Sequence, residues 1–391
     1  MNGPHRIGIF VTDVGSSPGF EDVVSGHVQL PMHTIKLLQE AGHVVHLITN
    51  RIIEGSVPPN CLPEGVPIHQ VTEPRVRGGD YIMHVGPRRG FHILRLVRLV
   101  MQLRRIIKEE QYDIVHFFGA NRLAHLAGFM GLLDRNVPLV FTFNVGRFPE
   151  RFWVLTRHLW KRISLVITST EFIKDNCSKY GIEARVLRHG IVRDLALKDS
   201  PEAHRHKHRV LFWRDPSVEN GADVCVRIFE ELAPRYPEIS FDFAVRPHWD
   251  RVTGIDRLAQ NYDNVHVYEF PYENGMSLPR LLDQSICVLL PFRELSINPQ
   301  FAILETMFAG KPAVTTAIES NSELIESGRN GVLVPVGDVN ATVQAVEELL
   351  TDPQKALSIG KRAAEDIRQS WSWDSYVTRL IVEYEKLIQP R

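Results

Sequence analysis

Cysteine is scarce: Cys61, Cys177, Cys225 and Cys287 are the only four in 391 residues, and no two form a Cys-x-x-Cys pair. No His/Cys cluster has zinc-ligand spacing, so a disulfide framework and a zinc finger are both excluded. The cysteines lie in or beside apolar stretches and read as buried thiols of a protein kept in a reducing cytosol. No apolar run reaches the ~18 residues of a membrane-spanning helix. The polar start, 1–6, leads straight into an apolar strand and does not read as a signal peptide. No tandem repeat at a 20–50-residue period and no Asp-x-Asp occur. With 44% apolar and 23% charged residues, the chain is neither collagenous, low-complexity nor disordered.

What is present is length for two domains and an uneven charge. Residues 1–190 hold 23 Lys+Arg against 16 Asp+Glu, and residues 191–391 hold 22 against 30. A basic half joined to an acidic half points to two domains with different partners.

Short apolar runs alternate with helical patterns. Strands are expected at 7–11, 44–49, 114–118, 139–143 and 165–168, with helices near 30–41, 91–110, 121–133, 149–161 and 171–180. The stretch 193–209 is polar, carries Pro201 and alternates His204, His206 and His208; it reads as a linker, with a metal tract as the weaker reading. Strands resume at 210–213, 241–245, 265–268, 286–290, 313–316 and 331–334. Helices fit 221–235, 300–309, 340–350, 353–369 and 372–388. Continuous apolar strands separated by helices predict parallel βαβ units, hence an α/β chain of two doubly wound, Rossmann-like domains facing a cleft. The expected division is 1–192, linker 193–208, 209–366, and a terminal helix 367–391 returning to the first domain.

Four places carry candidate chemistry. The loop from Gly15 to Gly26 follows the first strand and opens a helix; Gly26 admits a ligand to bare backbone, although the spacing is not Gly-x-Gly-x-x-Gly. His116 lies late in a buried strand, aimed at the cleft or held in the core. Arg214 ends a strand beside a helix start at Asn220-Gly221, a cation with N–H donors that suits a diphosphate. In the segment 289–314, a strand leads through Asn298, Gln300 and Phe301 into an apolar helix that contains Glu305 and ends at Gly310. A carboxylate inside such a helix needs partners, and ligand hydroxyls are natural ones.

At these residues the chain resembles the family 4 glycosyltransferases, which have the GT-B fold. The resemblance spans Ala41-Gly42-His43-Val44, Asp113-Ile114-Val115-His116, Val137-Pro138-Leu139 and Arg188-His189-Gly190. It continues through Glu305-Thr306-Met307-Phe308-Ala309-Gly310-Lys311-Pro312, Asn330-Gly331 and Trp371-Ser372-Trp373-Asp374. It implies retaining transfer of a sugar from a nucleotide-diphosphate sugar without a cofactor or metal. It places the donor mainly on 209–366, and a glycan, lipid-linked or small-molecule acceptor on the amino-terminal half. By the same resemblance Arg214 and His116 are catalytic, and Glu305, Gly26, Asn298, Gln300, Phe301 and Asn220 bind the donor. The pattern departs at Ile297, where the family has its first glutamate. It departs also at Asn220 for a lysine, at Phe118 and Asn144 for histidines, and at Ser25 for a glycine. These departures keep two alternatives open: a catalytically silent subunit that binds a partner or nucleotide, and a sugar-nucleotide epimerase.

A basic amphipathic stretch, 93–110, carries Arg95, Arg98, Arg104, Arg105 and Lys108 among leucines, valines and isoleucines. It reads either as a sheet-packing helix or as an element for an anionic membrane surface, consistent with a cytoplasmic protein at the inner membrane face. No nucleic-acid module is present.

Overall fold

The computed structural model describes residues 3–12, 14, 26–50, 64–71, 93–119, 130, 132–134, 136–144, 157–191, 208–246, 251–273 and 275–388. These fall into two units, one of Met1–Gly190 with Trp373–Arg391, the other of Ile191–Ser372. The expected linker 193–208 lies, apart from His208, outside the described residues, as does most of the expected helices 121–133 and 149–161.

The first unit runs β1 (Arg6–Phe10), α1 (Gly26–Glu40), β2 (Val44–Thr49), β3 (Ile68–Gln70), α2 (Ile93–Glu110), β4 (Ile114–Gly119), β5 (Leu139–Phe143), β6 (Leu165–Thr168), α3 (Glu171–Lys179) and β7 (Ala184–Val186). All strand pairs are parallel, in the order β3-β2-β1-β4-β5-β6-β7. The apolar runs predict these central strands because both sheet faces are covered, and Ile7, Ile9, Ile114, Val115 and Val140 are fully buried. Helix α2 turns Leu99, Val100, Leu103 and Ile107 into this core beneath Phe10, Ile48 and Tyr112. Arg98, Arg104, Arg105 and Lys108 face outward. Its described apolar stripe is therefore occupied by the sheet, which favours the packing-helix reading.

The second unit runs β8 (Arg209–Phe212), α4 (Ala222–Leu232), β9 (Ser240–Val245), α5 (Gly254–Asn261), β10 (Val265–Glu269), α6 (Leu278–Asp283), β11 (Ser285–Leu290), α7 (Phe301–Phe308), β12 (Ala313–Thr316), α8 (Asn321–Leu324), β13 (Val332–Val334), α9 (Val339–Thr351) and α10 (Pro353–Ser370). Its order, β10-β9-β8-β11-β12-β13, is again all parallel and reverses between β8 and β11. The last helix, α11 (Trp373–Ile388), belongs to the first unit. There its Tyr376, Leu380 and Tyr384 are buried, and Trp373 stacks on His33 at 4.9 Å. Cys177, Cys225 and Cys287 are buried free thiols, and burial pushes Cys177 and Cys287 up to about 12, so both stay protonated. Cys61 lies outside the described residues.

Helix α10 braces α7 from behind. Gly310 closes α7 with a positive φ of 74°, and Gly360 of α10 approaches so near that a Cβ there would lie 2.1 Å from the Gly310 carbonyl oxygen. Arg368 of α10 also donates to the Phe308 carbonyl at 3.2 Å. Gly360→Ala is expected to push the two helices apart and cost about 1–3 kcal/mol, as overpacking does. A urea-unfolding midpoint unchanged by this substitution would show that the contact relaxes freely.

Candidate active site

In an open parallel sheet, the crevice for a ligand opens at the carboxyl ends of the strands where the order reverses. In the second unit those are the ends of β8 and β11, and six of the eight expected site residues lie there. Arg214 and Asn220 stand on the connection after β8. Asn298, Gln300, Phe301 and Glu305 stand on the connection after β11 and on α7.

The two connections are tied together. The Arg293 amide donates to the Glu219 carbonyl at 2.9 Å, and its guanidinium pairs with Asp223 of α4 at 2.5 Å. Gly221 has a φ of 79°, and a Cβ on it would lie 2.0 Å from the Pro291 carbonyl oxygen, so only glycine fits this crossing. The Trp213 indole donates to Thr306 Oγ1 of α7 at 3.1 Å, which holds the backbone beside Arg214 against the helix that carries Glu305. Arg214 is half-buried, whereas Glu305 is 1% exposed. A cation and an enclosed carboxylate thus hang from strand ends joined by a fixed cross-link.

Part of the donor set expected beside Arg214 is already engaged within the protein. At the start of α4 the amides of Gly221, Ala222, Val224 and Cys225 all bond to Ser217, Val218 or Gly221 carbonyls within their own turn. They do not form the donor set that the sequence places beside Arg214. At the amino end of α7, Gln300 precedes the helix, and its carbonyl accepts from the Ile303 and Leu304 amides.

Two expected sugar contacts prove to be scaffold. Asn298 is fully buried; its amide nitrogen donates to Glu319 at 2.7 Å, and its oxygen accepts from the Ser320 hydroxyl at 2.7 Å and the Ser320 amide at 3.3 Å. It fastens the β11 connection to the turn after β12, so its side chain is committed to the protein. Gln300 is 2% exposed and donates to Ser296 at 3.3 Å. Asn220 donates to Ser217 at 3.1 Å. Trp213, Thr306, Glu319 and Ser320 were not legible as site-supporting residues, because each acts through a partner 21 or more positions away.

The remaining two expected residues lie in the first unit. Gly26 is the first residue of α1, while the rest of its loop, 15–25, lies outside the described residues. His116 is fully buried in β4. Its Nδ1 meets the Tyr384 hydroxyl of α11 at 2.6 Å, its Nε2 meets Thr142 Oγ1 at 2.7 Å, and Phe118 stacks on the ring at 4.1 Å. Both nitrogens are engaged within the core, so the cleft-facing orientation is corrected: this histidine links β4, β5 and α11. Burial pushes it down to about 3, which holds it neutral. Asn144, at the other altered histidine position, accepts from the Ser169 amide at 2.9 Å. A cavity of about 740 Å³ in this unit, lined by Arg157, Lys161, Arg185 and Lys386 among others, holds none of the expected residues.

Two parallel Rossmann-like units, one with Arg214 and Glu305 on the connections at its strand-order reversal, set the frame for the comparison with known proteins. Residues 24–195 match the Glycosyltransferase Family 4 model and residues 207–352 the Glycosyl transferases group 1 model; the chain belongs to the family 4 glycosyltransferases of the GT-B fold. The lipopolysaccharide core biosynthesis mannosyltransferase LpcC of Rhizobium leguminosarum is 24% identical over 280 residues, covering 66% of this chain and 75% of that protein. Anabaena HepE, solved in complex with UDP, superposes with a TM-score of 0.72 at 18% identity, covering 97% of this chain and 100% of HepE. A glycosyltransferase from Rickettsia africae superposes with a TM-score of 0.72 at 15% identity over the full length of both chains. Among the described residues no helix is long and apolar enough to cross a membrane.

Proposed function

We propose that this glycosyltransferase moves a sugar from a nucleotide-diphosphate sugar to a glycan, lipid-linked or small-molecule acceptor with retention of configuration, without a metal or cofactor. The observation that supports the reading is the Trp213–Thr306 bond, which ties the connection that carries Arg214 to the helix that carries Glu305 at the β8/β11 reversal. Breaking the sugar–phosphate bond leaves negative charge on the diphosphate. Arg214 and the α7 amides stabilise that charge with groups already held in place. Glu305 takes the ribose hydroxyls, which match an enclosed acceptor-only carboxylate. The absence of Asp-x-Asp agrees with a cationic side chain in place of a metal. HepE, crystallised with UDP and with UDP-glucose, supports a nucleotide-sugar donor on this fold. The outward cationic face of α2 suits an anionic acceptor or anionic lipid headgroups, and so a cytoplasmic enzyme at the membrane face.

Melting temperatures with UDP, GDP, ADP and CMP, in wild type and Glu305→Ala, test the donor site. A ligand at 100 times its Kd stabilises the folded protein by about 2.7 kcal/mol. One nucleotide is expected to raise the wild-type Tm by several degrees and to lose that effect in the variant. No shift with any nucleotide at millimolar concentration would move the reading to a silent subunit.

A further inference from the structure

Three metal-binding side chains that the sequence pattern did not connect meet at the edge of the first sheet. His46 comes from β2, His69 from the edge strand β3 and Glu110 from the last position of α2. His46 Nδ1 lies 2.9 Å from His69 Nε2 and 3.6 Å from Glu110 Oε2, and His69 Nε2 lies 3.8 Å from Glu110 Oε1. The Tyr112 hydroxyl stands 3.2 Å from the same His46 nitrogen.

We propose that these three residues bind one divalent d-block cation, Zn²⁺ foremost, which fastens the edge strand β3 and the end of α2 to β2. An imidazole nitrogen carries either one proton or one in-plane lone pair, so it serves one hydrogen-bond partner well. Here three polar atoms converge on His46 Nδ1, more than a single proton satisfies, and a cation at their centre satisfies all of them. The spacing fits: ligands about 2.05 Å from a tetrahedral zinc stand about 3.4 Å apart, and the three separations bracket that edge. Two imidazoles and a carboxylate are a donor set that zinc accepts, with a fourth position for water beside the Tyr112 hydroxyl. Access is present, since the side chains of His69 and Glu110 are 23% and 26% exposed while His46 is 5% exposed.

One neighbour must adjust. The Arg6 guanidinium lies 3.5 Å from His46 Nε2 and 3.2 Å from Glu110 Oε2. Coordination through Nδ1 leaves the ring proton on Nε2, so Arg6 turns away from the ring and keeps Glu110 from outside. Its side chain is 45% exposed and free to do so. Nothing in this site draws on the second unit, so the proposal stands apart from the donor-site reading.

The test is Zn²⁺ titration of the chelator-stripped full chain against a chromogenic competitor, with Co²⁺ as a spectroscopic stand-in. Wild type is expected to take up one equivalent at micromolar concentration or below, with a rise in Tm and the intense visible bands of four-coordinate Co²⁺. His69→Gln and Glu110→Gln are each expected to weaken binding by about tenfold to a hundredfold or more, the range in which even indirect ligand support acts. Glu110→Gln keeps the side-chain length, so it serves if His69→Gln does not fold. A triple variant at His204, His206 and His208 is expected to retain the high-affinity equivalent. Absence of a stoichiometric equivalent overturns the proposal. So does binding that survives both cluster variants, or binding that is lost with the histidine tract.

Discussion

Arg214→Ala is expected to lower kcat for sugar transfer by about 100- to 1000-fold, the usual loss when one preorganised charge stabiliser is removed, or about 2.7–4 kcal/mol. The donor KM is expected to change less. In the ground state the diphosphate shares its charge with the sugar ester bond, whereas in the transition state the bond is breaking and the charge on the leaving oxygens grows. An interaction that strengthens along that path shows in kcat. Arg214→Lys is expected to recover only part of the rate, because a point charge replaces a planar fork that can bind two phosphate oxygens. Asn220→Lys adds the cation that the family pattern places there, and is expected to raise the rate in the wild-type background. Steady-state kinetics with the nucleotide sugar chosen by the melting experiment check all three. A wild-type rate in Arg214→Ala would place the diphosphate away from the β8/β11 reversal.

The fold was legible because most of its strands are apolar on both faces. The expected ranges 44–49, 139–143, 165–168 and 313–316 coincide with β2, β5, β6 and β12. What escaped was short. β3 and β7 have three residues each and sit at the sheet edges, where one flank has no partner and the apolar run is broken by His69 and Arg185. Helices α5, α6 and α8, of four to eight residues, are too brief to show a 3.6-residue period.

The site was legible as a list of residues but not as a division of labour. Arg214 and Glu305 stand at a place that strand order dictates. Asn298 looked equally polar and equally placed, yet its amide is used by Glu319 and Ser320. Sequence shows that a residue can hydrogen-bond; it does not show that a turn 21 positions later has come to meet it. His116 is the sharper case. Every residue of β4 but the last is buried, so alternation gave no face to choose. The partner that settles it, Tyr384, arrives on a helix 268 residues away. The histidine cluster at His46 escaped for the same reason, its members being separated by 23 and 41 positions in sequence and joined only by strand pairing and the end of α2.

The buried histidines make a second large effect. Lowering the pH from 7.5 to 5 is expected to remove about 4 kcal/mol from the stability of the first unit, a large share of the 5–15 kcal/mol typical of a folded protein. His116 is pushed down to about 3 and His189 to about 4, in both cases chiefly by burial. In the unfolded chain each ring takes up a proton near 6.5. Between that value and the folded one, the unfolded state binds the proton and the native state does not, so stability rises with pH and is lost on acidification. At pH 5 the loss is about 2 kcal/mol for each ring. His43, lowered mainly by burial, adds in the same direction. Urea midpoints between pH 7.5 and 5 read the slope, and hydrogen exchange of the β4 and α11 amides shows that the loss lies in this unit. His116→Gln is expected to be less stable at pH 7.5, because a shorter amide cannot bridge Thr142 and Tyr384 equally well. It is also expected to show a slope shallower by about one proton, or about 1.4 kcal/mol per pH unit. The slope is the decisive quantity, since lost packing alone shifts all midpoints together and leaves it unchanged. A wild-type stability flat from pH 7.5 to 5 would mean that the native core accepts these protons, and that α11 does not seal His116 from water.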